Sequence, residues 1–339
     1  MKVVTFGEIM LKLSPQSYQR IVQSNVMNVE YAGAEANVAV SLANYGIDTS
    51  FVSKLPVNEI GNAAVNRLRQ FGVSVSEISR GGERVGIYFV EKGASQRPSK
   101  VIYDRKKSSI SEASSNDFDW DKIFDGADWF HFTGITPALS DSLARICLYA
   151  CRAAKNKGVT ISCDLNYRNK LWSREKAAQV MSELCPFVDV CIANEEDAGD
   201  VFGIYAGNTD VGNGVVDCKS YIDVAKQLQR KFGFKLVAIT LRESLSASDN
   251  NWSAILYDGD KVYNSRKYSI RIVDRIGGGD SFCAGLIYGC LSGFDNQKTL
   301  DFAVATSCLK QTIEGDFNLV SVAEVENLMK SSGNGRIVR

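Results

Sequence analysis

Residues 272–284 read Ile-Val-Asp-Arg-Ile-Gly-Gly-Gly-Asp-Ser-Phe-Cys-Ala, and the organisation of the chain is clearest from this stretch outward. Apolar and polar residues alternate from Tyr268 to Ile272, which predicts a strand before the glycines. From Phe282 to Leu291 apolar residues recur at helical spacing, which predicts a helix after them. The glycines therefore lie at a strand-to-helix junction.

Gly277, Gly278 and Gly279 give this junction a possible chemistry. Glycine has no Cβ, so three in succession allow backbone N–H groups to face one small volume. A helix start adds unsatisfied N–H groups and a partial positive charge, and the combination favours an anion. Asp280 follows at the predicted helix start, beside the anion position. A phosphate cradle next to a carboxylate base is the arrangement needed to phosphorylate an alcohol.

The same residues have a simpler explanation. A strand-to-helix turn in which Asp280 is only the N-cap is common. The dinucleotide fingerprint Gly-x-Gly-x-x-Gly, with an acid about 20 residues further on, is absent. The Lys-Ser/Thr pair of a Walker A loop is absent as well. On these residues alone, a plain turn and a phosphate site are about equally supported.

Composition restricts the class of protein. The 339 residues are 45% hydrophobic, with 39 acidic and 39 basic side chains, which suits one large domain with a substantial core. A neutral total argues against broad binding to nucleic acid or membranes, so arginines must meet an anionic substrate locally. Nine scattered cysteines and the lack of a signal-peptide pattern fit the cytoplasm. His131, the only histidine, is expected to be a hydrogen-bonded core residue.

Predicted strands and helices alternate along most of the chain. Strands at 3–6 and 49–53 alternate with helices at 35–45 and 61–71, and the alternation resumes after Asn116. This order predicts a mainly parallel sheet covered by helices on both faces, a three-layer α/β/α domain. Residues 252–263 are predicted to form a hairpin.

Two segments, 10–32 and about 84–110, interrupt the alternation. Both are rich in strand-forming residues and lack helical periodicity, which predicts a small β-sheet standing off the main domain. An antiparallel edge of the main sheet is the alternative. The chain is thus predicted to be one domain over 1–330 with these segments inserted. A surface insertion is expected at 203–217 and a C-terminal tail at 331–339.

Residues 274–280, Asp-Arg-Ile-Gly-Gly-Gly-Asp, resemble a family signature. In the ribokinase-like (PfkB) carbohydrate kinases it is usually written Asp-Thr-x-Gly-Ala-Gly-Asp. Arg275 replaces the usual Thr and Gly278 the usual Ala, and both departures occur in the branch that resembles 2-keto-3-deoxygluconate kinase. Residues 33–37, Gly-Ala-Glu-Ala-Asn, resemble the family's N-terminal Gly-Gly-x-x-x-Asn signature, with Ala32 in place of the first Gly.

The resemblance covers nearly the whole chain and implies a ribokinase-like fold, in which the small sheet is a lid over the sugar and often a dimer contact. It implies that Asp280 is the general base, that the amides of Gly277, Gly278 and Gly279 stabilise the transferring phosphoryl group, and that ATP and Mg²⁺ take part. The substrate would contact Gly33, Ala34, Asn37, Tyr88, Tyr103, Arg105, Ile135, Arg168, Asp280 and Asp316. The nucleotide would contact Asn166, Arg168, Asn194, Thr240, Arg242, Gly277, Gly279 and Lys310, and Asp197 would organise magnesium through water.

Arg105 and Arg168 bear on the substrate class. An arginine fork can bind a carboxylate with two hydrogen bonds, whereas a neutral sugar offers it nothing comparable. Both could instead be solvated surface residues, and Arg168 could hold phosphate. We expect ATP-dependent phosphorylation of a sugar acid, 2-keto-3-deoxygluconate to its 6-phosphate, by a homo-oligomer. The alternatives are a neutral-sugar kinase of the ribokinase or fructokinase type, and a catalytically silent sugar- or nucleotide-binding protein on the same fold.

Overall fold

A computed structural model describes residues 1–207 and 218–330. The tail expected at 331–339 and most of the insertion expected at 203–217 lie outside the described residues. The strands are β1 (Lys2–Phe6), β2 (Met10–Pro15), β3 (Met27–Ala32), β4 (Asp48–Leu55), β5 (Ile78–Arg80), β6 (Ile87–Glu91), β7 (Lys100–Asp104), β8 (Trp129–Thr133), β9 (Thr160–Asp164), β10 (Val190–Ala193), β11 (Leu236–Ser244), β12 (Asp249–Tyr257), β13 (Val262–Asn264) and β14 (Tyr268–Arg271). The helices are α1 (Ala34–Asn44), α2 (Glu59–Gln70), α3 (Trp120–Ile123), α4 (Ile135–Ala138), α5 (Asp141–Asn156), α6 (Arg174–Leu184), α7 (Asp197–Phe202), α8 (Cys218–Phe232), α9 (Gly278–Leu291), α10 (Asn296–Lys310) and α11 (Val322–Lys330).

The main sheet confirms the predicted parallel architecture. Its strands run in the order β13-β12-β11-β10-β9-β8-β1-β4-β5, and β14 pairs with β12 beside this path. Every neighbouring pair from β11 to β5 is parallel. The pairs of β12 with β11, β13 and β14 are antiparallel. The hairpin expected at 252–263 is therefore confirmed as β12 and β13.

Both faces of this sheet are buried, as alternate residues of β10 illustrate. Val190 and Ile192 belong to the cluster that includes apolar residues of α1, α9 and α10. Cys191 and Ala193 belong to the cluster that includes those of α5, α6 and α8. A parallel strand with apolar residues on both faces needs a helical layer on each side, so the three-layer prediction is confirmed.

Helix α5 illustrates how the local sequence sets the helix ends. The Ser140 side chain accepts the Leu143 N–H at 3.2 Å and so caps the start of the helix. Gly158, with a φ of +73°, lets the chain leave the helix in the left-handed conformation. Between these ends the helix runs from Asp141 to Asn156.

A second sheet, which we call the lid sheet, consists of β2, β3, β6 and β7 in the order β3-β2-β6-β7. The β2–β3 and β6–β7 pairs are antiparallel, and the β2–β6 pair is parallel. Among the described residues none of its strands pairs with the main sheet, so the alternative of an antiparallel edge strand is wrong. The chain passes between the two sheets at four places, and these crossings bring lid residues to the carboxyl ends of β1 and β8.

Short elements were missed by the sequence prediction. Strand β5 has three residues, and helices α3 and α4 have four each, too few for a hydrophobic period to be recognised. The eight cysteines whose side chains the structure describes are all free thiols. In residues 1–207 and 218–330 each helix is too short or too polar to cross a lipid bilayer.

Candidate active site

One cavity of about 340 Å³ lies where the parallel strands end and the lid sheet faces them. This is the edge at which open α/β sheets bind ligands. It brings together Gly33, Ala34, Asn37, Tyr88, Tyr103, Arg105, Ile135, Asn166, Arg168, Asn194, Thr240, Arg242, Gly277, Gly278, Gly279, Asp280 and Asp316. Of the residues assigned from the sequence, Asp197 and Lys310 lie outside its lining.

The three glycines, which we call the glycine loop, open helix α9. Gly277 is the N-cap with a φ of +81°, and a Cβ there would lie 2.0 Å from the Asp316 carbonyl oxygen. Only glycine fits this position. The N–H groups of Gly279 and Asp280 have no acceptor within the described part of the chain. They are the unsatisfied donors of a helix start, and they belong to residues that line the cavity.

Asp280 stands in the first turn of α9. Its Oδ2 accepts a hydrogen bond from Asn37 Nδ2 at 2.6 Å, which joins the two signature segments across 243 residues. Burial raises the pKa of Asp280 to about 7, and the negative charges of Asp316 and Glu35 add to this, against the Asn37 hydrogen bond and Arg168. A carboxylate that titrates near neutral pH is suited to accept a proton from a substrate hydroxyl.

Glu35, in the first turn of α1, also lines the cavity and was not assigned from the sequence. Its Oε1 accepts the Thr133 N–H at 3.1 Å and the hydroxyls of Thr133 and Thr136 at 2.7 Å each. Burial raises the pKa of Glu35, and these hydrogen bonds oppose the rise. A Cβ on Gly7 would lie 2.1 Å from its carboxyl group, so Gly7 leaves the space that Glu35 occupies. An acid at the start of an otherwise apolar helix was the available signal.

Asp316 connects the cavity floor to the lid sheet. Its Oδ1 accepts from Lys12 Nζ at 2.6 Å and its Oδ2 accepts from the Tyr88 hydroxyl at 2.6 Å. Lys12 is almost fully buried and also pairs with Glu30 at 2.9 Å. Burial lowers the pKa of Lys12, but Asp316, Asp274 and Glu30 outweigh it, so the net pKa is raised. The residue predicted to bind a substrate hydroxyl thus also holds two lid residues.

Arg105 is buried and pairs with Glu8, a residue that the sequence did not assign to the site. Arg105 Nε donates to Glu8 Oε2 at 2.8 Å, and Nη2 donates to the same oxygen. A Cβ on Gly86 would lie 2.6 Å from Glu8 Oε1, so Gly86 leaves room for this carboxylate. Arg105 is therefore not a solvated surface residue: it lines the cavity with part of its guanidinium engaged by the protein's own carboxylate.

Arg168 also lines the cavity and is exposed. Its Nη1 donates to the Tyr167 carbonyl at 2.8 Å. The turn that carries it starts at Asn166, which has a φ of +40° and donates to Asp164 Oδ2 at 2.9 Å. Burial, then the charges of Asp197 and Asp280, raise the pKa of Asp164 well above its usual value. Asp164 also lines the cavity, and a lone acid ending an apolar strand was its signal in the sequence.

Asp197 fixes two loops and makes no side-chain contact with the cavity. Its Oδ1 accepts the Tyr167 N–H and its Oδ2 accepts the Asn194 N–H, both at 2.9 Å. Within the described residues no three carboxylate, histidine or cysteine groups converge on a metal site of their own. Asp164 and Glu195 nevertheless line the cavity, and such carboxylate oxygens fit Mg²⁺, which keeps several waters or phosphate ligands.

The part of the cavity that was predicted from Thr240 and Arg242 to bind the nucleotide contains more charged side chains than the sequence indicated. Arg242 Nη2 pairs with Glu195 at 3.0 Å, and Arg275 lines the same wall. Lys310 is fully buried beneath the glycine loop, where its Nζ donates to the Asp274 carbonyl at 3.0 Å. Lys310 thus contacts the backbone of the signature segment and does not reach the cavity.

His131 is a core residue, as expected. Its Nδ1 lies 2.8 Å from Ser162 Oγ on the neighbouring strand. Burial lowers the pKa of His131 to about 3, so the ring is neutral at physiological pH. It makes no contact with the cavity lining and has no role in the chemistry proposed below.

Comparison with known proteins identifies the family. A solved structure of 2-dehydro-3-deoxygluconokinase from Thermotoga maritima is 54% identical, with a TM-score of 0.94 over 98% of this chain and 100% of that one. A 2-dehydro-3-deoxygalactonokinase from Haloferax volcanii is 33% identical over 98% of both chains. A 2-dehydro-3-deoxygluconokinase from Bacillus subtilis is 28% identical over 93% of this chain and 91% of its own. The model of the pfkB family carbohydrate kinases matches residues 1–318, and the chain belongs to that family.

Proposed function

We propose that this kinase uses ATP to phosphorylate the terminal hydroxyl of 2-keto-3-deoxygluconate, also called 2-dehydro-3-deoxygluconate, to give the 6-phosphate. The observation that carries the proposal is one cavity whose lining includes Asp280 and the glycine loop together with Arg105 and Arg168. The first pair suits phosphoryl transfer to an alcohol, and the second suits an acid. The names of the relatives in Thermotoga maritima and Bacillus subtilis support the same substrate.

In this mechanism Asp280 accepts the proton of the substrate hydroxyl as its oxygen attacks the γ-phosphorus of ATP. Asn37 holds the carboxylate in place through the 2.6 Å hydrogen bond. The free N–H groups of Gly279 and Asp280 stabilise charge on the transferring phosphoryl group, the kind of interaction that dominates catalysis of this reaction. The sugar is phosphorylated, ADP leaves, and the proton passes from Asp280 to solvent.

Magnesium is part of the proposal because the oxygen donors on the wall fit it. Asp164 and Glu195 would hold the ion, and Asp197 would act indirectly by fixing the Asn194 loop. The ion supplies charge neutralisation between the nucleotide phosphates. Asp164 has a raised pKa because of burial and neighbouring carboxylates, so a nearby cation would favour its ionised form.

A panel of acceptors tests the substrate. We expect ADP release with ATP and 2-keto-3-deoxygluconate, and a product whose phosphate is on the terminal carbon by ³¹P and ¹³C NMR. The panel includes 2-keto-3-deoxygalactonate, since the Haloferax volcanii relative carries that name, together with ribose and fructose. Preference for a neutral sugar would replace the sugar-acid assignment. ATP binding without turnover of any acceptor would indicate a silent binding protein.

The lid sheet supports a further part of the proposal, a homo-oligomer that forms through its outer face. Val29, Leu13, Phe89 and Ile102 are aligned across the four strands. Val29 and Ile102 are more than half exposed, which is costly for an apolar row unless another surface covers it. We expect light scattering to give a dimer or larger species, and Ile102→Lys to shift it towards monomer; unchanged mass in that variant would contradict this interface.

The remaining elements of the proposal are domain organisation and location. We propose a single kinase domain over 1–330, with lid segments at 10–32 and 84–110 that exclude water from the bound substrate. Eight free, mostly buried cysteines support a reducing compartment, and we propose the cytoplasm.

A further inference from the structure

We propose that Arg275 binds the polyphosphate of the nucleotide and, together with Arg242, forms a cationic wall in the cavity that the glycine loop also lines. This inference rests on the proposed use of ATP and assigns a role to the residue that stands where the family usually has Thr. Arg275 lines the cavity, as do Arg242 and the glycines that follow it in sequence.

The guanidinium of Arg275 is poorly satisfied. Its Nη2 donates to the Ser246 and Ala247 carbonyls at 3.4 and 3.3 Å, which are long hydrogen bonds. Its Nε is buried and has no partner among the described residues. A buried donor without an acceptor is costly, so the protein itself satisfies this side chain poorly. Nη1 also forms no hydrogen bond within the described residues, and because Arg275 is only partly buried and lines the cavity, a ligand oxygen would bind at Nη1.

The charge of Arg275 is also uncompensated. Across residues 1–207 and 218–330, no carboxylate forms an ion pair with it, because the nearby acids are engaged elsewhere. Asp274, its neighbour in sequence, lies 3.8 Å from Lys12 and 3.7 Å from Lys92, and Glu195 pairs with Arg242. Burial lowers the pKa of Arg275, and the like charge of Arg242 lowers it further. Among the described residues, Glu195 is the one carboxylate that forms an ion pair with either arginine, so the two together carry a net positive charge.

A nucleotide polyphosphate matches this wall in charge and geometry. Arginine presents a planar set of donors that can bind phosphate oxygens with two hydrogen bonds, which lysine or threonine cannot reproduce. The glycine loop would contact the transferring phosphate, and Arg242 and Arg275 would contact the phosphates that stay with ADP. Arg275 is therefore proposed as a binding residue, not as an acid or base.

The Arg275 side chain is also connected to the tip of the lid sheet by hydrogen bonds that pass through one turn. Ala247, whose carbonyl accepts from Arg275, donates its N–H to the Ser95 carbonyl at 2.7 Å. The Ser95 N–H donates to Ser248 Oγ at 2.9 Å. Arg275 could thus serve only as a support for this turn. That structural role predicts lower thermal stability on substitution but unchanged affinity for ATP per folded molecule.

Binding of ATP without sugar separates the two roles. We compare wild type, Arg275→Gln, Arg275→Lys and Arg271→Gln, the last a matched control because Arg271 is exposed on β14 and outside the cavity lining. By calorimetry we expect Arg275→Gln to raise the Kd for ATP at least about tenfold, and Arg275→Lys about threefold. The Kd for adenosine should not change, and Arg271→Gln should match wild type. Thermal unfolding without ligand verifies that each variant is folded.

Four outcomes would overturn the inference. Equal ATP affinity in Arg275→Gln and Arg271→Gln would leave Arg275 with the structural role only. Equal loss of adenosine and ATP affinity would indicate a distorted site. Should Arg275→Gln fail to fold, Arg275→Lys decides, since unchanged ATP affinity there excludes the two-bond contact. A wild-type protein that binds no ATP would instead refute the proposed function, and this inference with it.

Discussion

The two walls of the cavity are built in different ways. The sheet wall consists of the glycine loop, Asp280 and Asn37, and its donors are backbone N–H groups fixed by helix starts. The lid wall consists of Tyr88, Tyr103 and Arg105. These residues are held by single side-chain contacts, such as those of Arg105 with Glu8 and of Tyr88 with Asp316. We infer that the sheet wall carries the chemistry and the lid wall selects the substrate. Substitutions on the two walls should therefore change different kinetic constants.

Asp280→Asn should have the largest effect, because it removes the proton acceptor and keeps the shape. We expect kcat to fall about 10²–10⁴-fold, the usual contribution of a general base. The Kd for ATP should stay close to wild type, because the backbone N–H groups remain. Asp260→Asn, on the exposed β12–β13 turn, is the matched control. Near-normal turnover in Asp280→Asn would refute the assignment of the base.

Arg105→Ala should affect the lid wall alone, with a loss of about 10- to 100-fold in kcat/KM for the sugar acid and little change in KM for ATP. The variant also leaves Glu8 buried without its partner, and its charge would repel a substrate carboxylate. The double variant Arg105→Ala/Glu8→Gln removes that charge and should recover part of the loss. Glu8→Gln alone is the control, and equal changes in both KM values would contradict the division between the walls.

The sheet wall could be predicted from the sequence because its parts are local. Gly277, Gly278, Gly279 and Asp280 are consecutive, and their role depends on a strand-to-helix junction that hydrophobic periodicity identifies. Asn37 came from a second local signature. The topology rule for parallel sheets then brought both to one edge, and all of these residues line the cavity.

The lid wall was predicted less completely because its contacts are long-range. The Lys12–Asp316 ion pair spans 304 residues and the Arg105–Glu8 pair spans 97, and nothing near Glu8 or Lys12 in the sequence identifies their partners. The family resemblance predicted that Lys310 contacts the nucleotide. Its burial under the glycine loop depends on how α10 packs on α9, which the sequence does not reveal. Charge pairing depends on the folded arrangement, whereas backbone geometry follows from the local sequence.

The pH dependence of activity tests the environment of Asp280 on the sheet wall. The base acts when deprotonated, and the pKa of Asp280 is raised to about 7, so kcat/KM should fall about tenfold per pH unit below that value and level off above it. Arg105→Ala should keep the same profile at a lower level. A profile flat down to pH 5 would mean that Asp280 is not the titrating base.

The raised pKa of Asp280 also affects the stability of the fold. Activity should rise with pH, whereas stability should fall. Because folding raises the pKa of Asp280 above its value of 3.8 in the unfolded chain, ionisation penalises the folded state as pH rises from about 4 to 7. The penalty is full above 7 and absent below 4. Asp280→Asn should therefore raise Tm by a few degrees at pH 8 and by less at pH 5. The wild-type protein is thus less stable because its function requires a buried, ionised carboxylate.

Gly278→Ala should have the smallest effect, and it distinguishes two glycines of one loop. A Cβ at Gly278 would lie 3.2 Å from the flexible Gln311 side chain, and this position is where the family usually has Ala. We expect kcat/KM within about twofold of wild type, since the helix residue gains propensity as the side chain adjusts. Gly277→Ala is the contrasting control, because its Cβ would meet the Asp316 carbonyl at 2.0 Å with a φ of +81°. That variant should lose both stability and activity. If Gly278→Ala were as damaging as Gly277→Ala, the loop would need every glycine for close approach to the phosphate, and the sheet wall would depend on more than the N–H groups of one helix start.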